Sequence, residues 1–130
     1  MNHLPIPEDV ESSGKKLLDA AYRVHTVLGP GLLESVYEKC LATELARRGV
    51  PHACQSALPI SYDGVTIKEG MRLDLLVEGR VIAELKAVQD MLPLFDAQLI
   101  TYLKLSGLRL GFLINFNVPH LRDGIKRLVV

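Results

Sequence analysis

The chain has 130 residues and a formal net charge of zero, because 15 Lys and Arg balance 15 Asp and Glu. Hydrophobic residues make up 48% of it and charged residues 23%, which is typical of one folded domain and not of a disordered tail. The neutral balance excludes a protein that holds nucleic acid or a membrane through bulk charge alone. Any contact with phosphate therefore requires a local patch or a bound cation.

The cellular compartment can be inferred from cysteines and targeting signals. Cys40 and Cys54 are too few for a disulfide scaffold and suit a reducing compartment. No stretch reaches the ~20 apolar residues of a membrane span. The N-terminus lacks the basic and apolar regions of a secretory signal. We expect a cytoplasmic protein that makes no membrane contact.

The first third of the chain predicts an arm and two helices. Two prolines indicate a flexible N-terminal arm over residues 1–9, ahead of a single domain over residues 10–130. Apolar residues at helical spacing predict a first helix from Val10 to Leu28. A glycine–proline–glycine turn follows, and the same spacing predicts a second helix that Gly49 ends.

After Pro51 the pattern changes from helical to alternating. In chain order it predicts strands at 53–62, 65–68, 71–77 and 81–87, a helix at 94–106, and strands at 108–116 and 125–130. The third helix is nearly apolar on all sides, so we expect it to be buried. The element order predicts an α+β fold, an α/β sandwich with a mixed β-sheet. The strand–helix–strand step predicts a right-handed crossover between parallel strands.

The hairpin between residues 71 and 87 gives the sharpest prediction. Odd-numbered positions of both strands are apolar, so only a three-residue loop over 78–80 pairs apolar positions with apolar ones. This register sets Asp74 directly across from Glu84, with Cβ atoms ~5 Å apart. Leu76 and Ile82 lie opposite each other on the same face, which indicates that part of this face is covered.

Two carboxylates this close can both ionise if a cation lies between them. Hard oxygen ligands suit Mg²⁺ or Mn²⁺, and Lys86 could orient or deprotonate an attacking water. Asp74, Glu84 and Lys86 are thus the set of groups that hydrolysis of a phosphodiester needs. The alternative interpretation is a plain structural domain, whose hairpin face lies open to solvent with its ions paired.

These residues resemble a known family. Asp74 followed by Glu84-Leu85-Lys86 resembles the motif of the PD-(D/E)XK nuclease superfamily, and the αβββαβ order is similar to its restriction-endonuclease-like core. Gly31-x-x-Glu34-x-x-Tyr37 resembles the motif of the small GxxExxY proteins in that superfamily. Gln98-x-x-x-Tyr102 is similar to a motif of its exonuclease-type members. The resemblance covers roughly residues 14–130.

The resemblance implies a role for each matching position. Asp74 and Glu84 are implied as metal ligands, with the Leu85 carbonyl as a third oxygen, and Lys86 serves the water. Glu34 is implied as a further acid near the metal. Leu73 stands where the superfamily name has proline, a position that varies widely.

The resemblance also implies that Gln98 and Tyr102 approach the site or the substrate backbone. The function so predicted is a Mg²⁺-dependent nuclease-like domain acting on nucleic acid, with DNA favoured. The alternative is a non-catalytic module of the same fold that binds nucleic acid or protein. For a domain of this size we also predict a homodimer, which presents two sites to a duplex.

Overall fold

The computed structural model describes residues 4–130, and residues 1–3 of the predicted arm lie outside them. The chain forms, in order, α1 (Glu8–Leu28), α2 (Glu34–Arg47), β1 (His52–Tyr62), β2 (Val65–Val77), β3 (Val81–Lys86), α3 (Pro93–Ser106), β4 (Leu110–Asn115), a 3₁₀ turn (Leu121–Gly124) and β5 (Ile125–Val129). α1 begins two residues before the predicted Val10. The two strands predicted over 65–77 are one continuous strand.

The strands form one five-stranded sheet in the order β1-β2-β3-β4-β5. β3 and β4 are parallel, and the other neighbouring strands are antiparallel. One apolar cluster packs α1 and α2 on one face of the sheet, and a second packs α3 on the other. The predicted α+β sandwich with a mixed sheet is confirmed, and so is the parallel pairing across α3.

The predicted burial of α3 is wrong. Leu99 and Leu103 are the buried residues of this helix, whereas Leu94 and Leu105 are 70% and 52% exposed. α3 packs alone on its face of the sheet, so its outer side meets solvent. α3 carries apolar residues on all sides, but only the side that faces the sheet is packed against other residues.

Arg109 joins the two ends of the described chain. Its guanidinium donates hydrogen bonds to the carbonyls of Leu4 and Pro5, and also to that of Val130. Ile6 packs against the cluster beneath α1 and α2. Residues 4–7 thus lie against the domain ahead of α1.

The β2–β3 hairpin has the predicted register. Val77 pairs with Val81 and Leu76 with Ile82, which leaves the three residues 78–80 in the turn. Ile82 is fully buried in the cluster beneath α3, and Leu76 packs against it. The prediction that this face is covered is confirmed, because α3 lies on it. The alternative of a solvent-open face is wrong.

The alternation of β2 breaks at Asp74. Leu73 packs beneath α3, whereas Leu75 packs beneath α1 and α2, so the odd-numbered apolar residues do not share one face as expected. The ladder to β1 omits the position where Gln55 opposes Asp74, and Gln55 has a left-handed backbone with φ of 49°. A local irregularity of this kind turns the strand and re-aims a side chain.

Candidate active site

Asp74 and Glu84 meet where β2 and β3 separate. The ladder between these strands ends at Leu75 and Ala83. At the next position, Glu84 Oε2 accepts a hydrogen bond from the Asp74 N–H at 2.9 Å. Asp74 Oδ2 in turn accepts one from the Leu85 N–H at 2.8 Å. The structure therefore brings the two acids together, each held by a backbone amide on the opposite strand.

Glu84 is the more buried of the two acids, with 4% of its surface exposed. Burial raises the pKa of its carboxyl to about 8, and the negative charge of Asp74 adds to the effect. Glu84 takes part in none of the side-chain ion pairs found over residues 4–130. A buried carboxyl without a cationic partner favours the protonated state, or a cation that neutralises it.

Lys86 is the last residue of β3, two positions after Glu84. Its Nζ lies 4.2 Å from the centroid of the Phe95 ring, which stabilises the ammonium through a cation–π contact. Phe95 comes from the first turn of α3, so this helix helps to fix the position of Lys86. The Lys86 carbonyl accepts a hydrogen bond from the Phe116 N–H.

Glu34 is the first residue of α2, where the helix dipole favours a carboxylate. Partial burial and then the charge of Asp74 raise the pKa of Glu34, whereas Lys86 lowers it. These mutual effects place Glu34 within electrostatic reach of the acid pair. The structure therefore gathers Glu34, Asp74, Glu84 and Lys86 at one end of the sheet.

Tyr37 explains how the chain presents Glu34. Its hydroxyl donates to the Gly29 carbonyl at 2.6 Å and accepts from the Leu32 N–H at 3.1 Å, so it closes the turn between α1 and α2. Its buried ring stacks on Phe116 with 4.6 Å between centroids. The tyrosine of the Gly31-x-x-Glu34-x-x-Tyr37 pattern thus packs in the core and fixes the turn before Glu34.

Gln98 and Tyr102 bond to each other. Gln98 Nε2 donates to the Tyr102 hydroxyl at 3.2 Å, and Gln98 is exposed on α3. Among the hydrogen bonds of residues 4–130, none joins either side chain to Asp74 or Glu84. The structure therefore leaves this pair outside the hydrogen-bonded group of acids.

Two polar residues beside the acids, Gln55 and Glu38, were not predicted as site residues. Gln55 Nε2 donates to Glu38 Oε1 at 2.6 Å and lies 3.5 Å from Asp74 Oδ1. The i, i+4 spacing of Glu34 and Glu38 could have indicated that both lie on one face of α2. No sequence signal points to Gln55, because its contact depends on the irregularity of β1.

Asn115 supports the segment that follows Lys86. It is 3% exposed, and its side chain bonds both the N–H and the carbonyl of Val88. Asn115 pairs with Lys86 in the parallel ladder of β3 and β4. This amide therefore fixes the chain just beyond the lysine.

The acid pair offers oxygen ligands to a divalent cation. Across the described range 4–130, no group of three or more His, Cys, Asp and Glu side chains is arranged to hold a metal. Asp74 and Glu84 nevertheless supply hard carboxylate oxygens, and the buried Glu84 makes none of the salt bridges found within residues 4–130. These two residues fit Mg²⁺ or Mn²⁺, which commonly take few carboxylates and complete their coordination with water and phosphate oxygens.

No helix within residues 4–130 is both long enough and apolar enough to cross a membrane. A protein-family model described as the PD-(D/E)XK nuclease superfamily matches residues 11–128. No curated protein and no solved structure matches the chain. The match includes residues of all three helices and all five strands, and the group around Asp74 and Glu84. The chain belongs to the PD-(D/E)XK nuclease superfamily.

Proposed function

We propose that this domain hydrolyses phosphodiester bonds in nucleic acid with the help of a divalent cation. The observation that carries the proposal is the nearly complete burial of Glu84 against Asp74, two residues before Lys86 on the same strand. A buried acid beside a second acid is costly to ionise, and a bound divalent cation removes that cost. The superfamily supports a nuclease-like function.

In this proposal Asp74 and Glu84 hold Mg²⁺ or Mn²⁺, with the Leu85 carbonyl as a further oxygen. When bound, such an ion polarises a phosphoryl oxygen and lowers the pKa of water. Lys86 orients the attacking water or stabilises the charge that develops on the phosphate, and its contact with Phe95 limits where the ammonium can lie. Glu34 acts from the outer side of the site, on water that surrounds the cation.

The finer assignments belong to the same proposal. We assign the chain to the GxxExxY group on the pattern that ends at Tyr37. DNA is the favoured substrate, and Gln98 and Tyr102 are assigned to the substrate backbone. We also retain the prediction of a cytoplasmic location. The predicted homodimer can be tested by light scattering, which measures the molecular mass of the purified chain in solution. A monomeric mass at working concentrations contradicts the homodimer.

A second candidate function is a non-catalytic module of the same fold, which binds nucleic acid or protein. The zero net charge favours it, because little bulk attraction holds a long duplex on this chain. The two functions differ in the role of the acids. A binding module tolerates the loss of either acid, whereas a hydrolase does not.

Cleavage assays separate the two candidates. Labelled single-stranded, duplex and flapped DNA and RNA are incubated with the purified chain in Mg²⁺ or Mn²⁺. We expect Asp74→Asn and Glu84→Gln to abolish cleavage and Lys86→Met to lower it about 10²- to 10⁴-fold, with the fold of each variant retained by circular dichroism. Glu69→Gln, an exposed acid on β2, is the matched control and keeps activity. Wild-type protein that cuts none of these substrates contradicts the hydrolase.

A further inference from the structure

A cavity of about 630 Å³ lies where the end of α1 faces the segment before β5. The residues that line this cavity are Tyr22, His25, Thr26, Gly29, Pro119, His120, Leu121 and Arg122. His25 is 8% exposed, and its Nε2 lies 2.8 Å from the Val118 carbonyl. This hydrogen bond holds the segment after β4 against α1, so the cavity has a fixed wall.

The lining of this cavity suits an anion. None of its residues is acidic, Arg122 is positively charged, and the imidazole of His120 can donate a hydrogen bond. Arg122 makes none of the salt bridges present in the described part of the chain, residues 4–130. The hydroxyls of Tyr22 and Thr26 add neutral donors. Such a set favours a phosphate group over a cation or a nucleobase amine.

The cavity is linked to the acid pair through Phe116. The Phe116 N–H donates to the Lys86 carbonyl. Its ring lies 6.4 Å from the His25 ring and stacks at 4.6 Å on Tyr37, one turn after Glu34. Asn115 pairs with Lys86 in the parallel ladder, so the segment after β4, which lines the cavity, leaves the sheet at the edge where Lys86 lies.

We propose that this cavity binds a backbone phosphate of the nucleic-acid substrate, at the same edge of the sheet as the acid pair. The inference rests on the proposed function and adds a contact that the acids cannot supply, because carboxylates repel phosphate. It also explains how a chain of zero net charge would bind nucleic acid, because a local group of donors would attract the phosphate that the overall charge does not.

Binding without cleavage tests the proposal. Fluorescence anisotropy with a labelled oligonucleotide is measured in EDTA, between about 50 and 200 mM salt. We expect Arg122→Gln to weaken binding about three- to tenfold and to reduce the slope of log K against log salt by about 0.7 to 0.9, the value for one phosphate contact. The pair His120→Gln and Arg122→Gln weakens it further. Both side chains are exposed, so the fold is not at risk.

The control is Lys104→Gln, which removes an exposed cation from α3 on the other side of the sheet. Unchanged affinity and salt slope in Arg122→Gln, or an equal loss in Lys104→Gln, overturns the cavity proposal. A wild-type chain that binds no oligonucleotide also overturns it. Binding of inorganic phosphate that depends on Arg122, without binding of the oligonucleotide, identifies a free phosphate as the occupant instead. Failure to cleave, with Arg122-dependent binding intact, counts only against the hydrolase.

Discussion

Glu84 Oε2 lies 2.9 Å from the amide nitrogen of Asp74, beyond the last ladder pair of β2 and β3. A side-chain carboxylate thus takes a bond that the neighbouring strand would supply in a regular ladder. This makes the acid pair part of the sheet itself. Changes in its protonation should therefore alter the stability of the fold as well as any activity.

The stability of the wild-type chain should fall as pH rises from about 5 to 8. The pKa of Glu84 is about 8 in the folded chain, against an ordinary value of 4.5, so the folded state holds a proton that the unfolded state has lost. The free energy of unfolding is then highest at pH below the Glu84 pKa of the unfolded state. It declines as pH rises, until pH passes the Glu84 pKa of the folded state. At about 1.4 kcal/mol per pH unit, the decline amounts to a few kcal/mol.

Chemical denaturation at a series of pH values measures this effect. Glu84→Gln keeps a hydrogen-bonding side chain of similar size without the titration, so its free energy of unfolding should vary less over the same range. Parallel curves for the two proteins would show that Glu84 does not carry a raised pKa.

Binding of Mn²⁺ should release a proton and should tighten between pH 6 and pH 8. The cation and the proton compete for the same carboxyl, since the pKa of Glu84 lies near 8. Calorimetry in buffers of different ionisation enthalpy counts the released protons. Asp74→Asn should abolish Mn²⁺ binding, whereas Asp63→Asn, in the turn between β1 and β2, should leave it unchanged. Equal binding by both variants contradicts the assigned ligands.

Replacement of Lys86 should lower kcat more than replacement of Phe95, whose ring contacts the ammonium. If Lys86 serves the water, Lys86→Met lowers kcat about 10²- to 10⁴-fold. Phe95→Leu removes a cation–π contact worth about 0.5–1 kcal/mol, so it should lower kcat only about two- to fivefold.

The double variant separates positioning from packing. In the background of Lys86→Met, Phe95→Leu should cause no further loss, because its effect passes through the ammonium. Additive losses indicate that Phe95 acts independently of Lys86.

Tyr37→Phe should destabilise the chain by about 1–3 kcal/mol. The change keeps the ring that stacks on Phe116 but leaves the Gly29 carbonyl and the Leu32 N–H without the hydroxyl. Tyr102→Phe is the matched control, since its hydroxyl accepts one bond from the exposed Gln98. Urea denaturation compares them, and equal costs contradict the role given to Tyr37.

The apolar pattern was sufficient to predict the hairpin and the meeting of its acids. A three-residue loop is the only register that keeps apolar positions paired, and it sets Asp74 beside Glu84. The pattern could not predict the break at Asp74, which lies opposite the left-handed backbone of Gln55 on a different strand. A strictly regular alternation of β2 predicts the cross-strand neighbours correctly, but it places Leu73 on the wrong face of the sheet.

Two other features that the sequence did not predict also depend on tertiary contacts. Phe95 lies nine residues after Lys86 along the chain, and nothing in their spacing indicates that ring and ammonium meet. The composition of α3 could not reveal its exposed side, because that depends on how many helices share a face of the sheet. Leu94 and Leu105 are exposed for this reason.

The conformation of Gln55 gives the edge strand control over chemistry to which it contributes no acid. β-Branched residues rarely adopt a positive φ, so Gln55→Val should pull β1 toward a regular extended path. Leu73 would then follow the odd alternation of its own strand and leave the cluster beneath α3, and Asp74 Oδ1 would lose the Gln55 amide that lies 3.5 Å away. A chain altered in this way would keep both acids and Lys86 in its sequence and still lose the side chain by which β1 contacts Asp74. Sequence comparisons that inspect only the acids and the lysine would not detect such a loss.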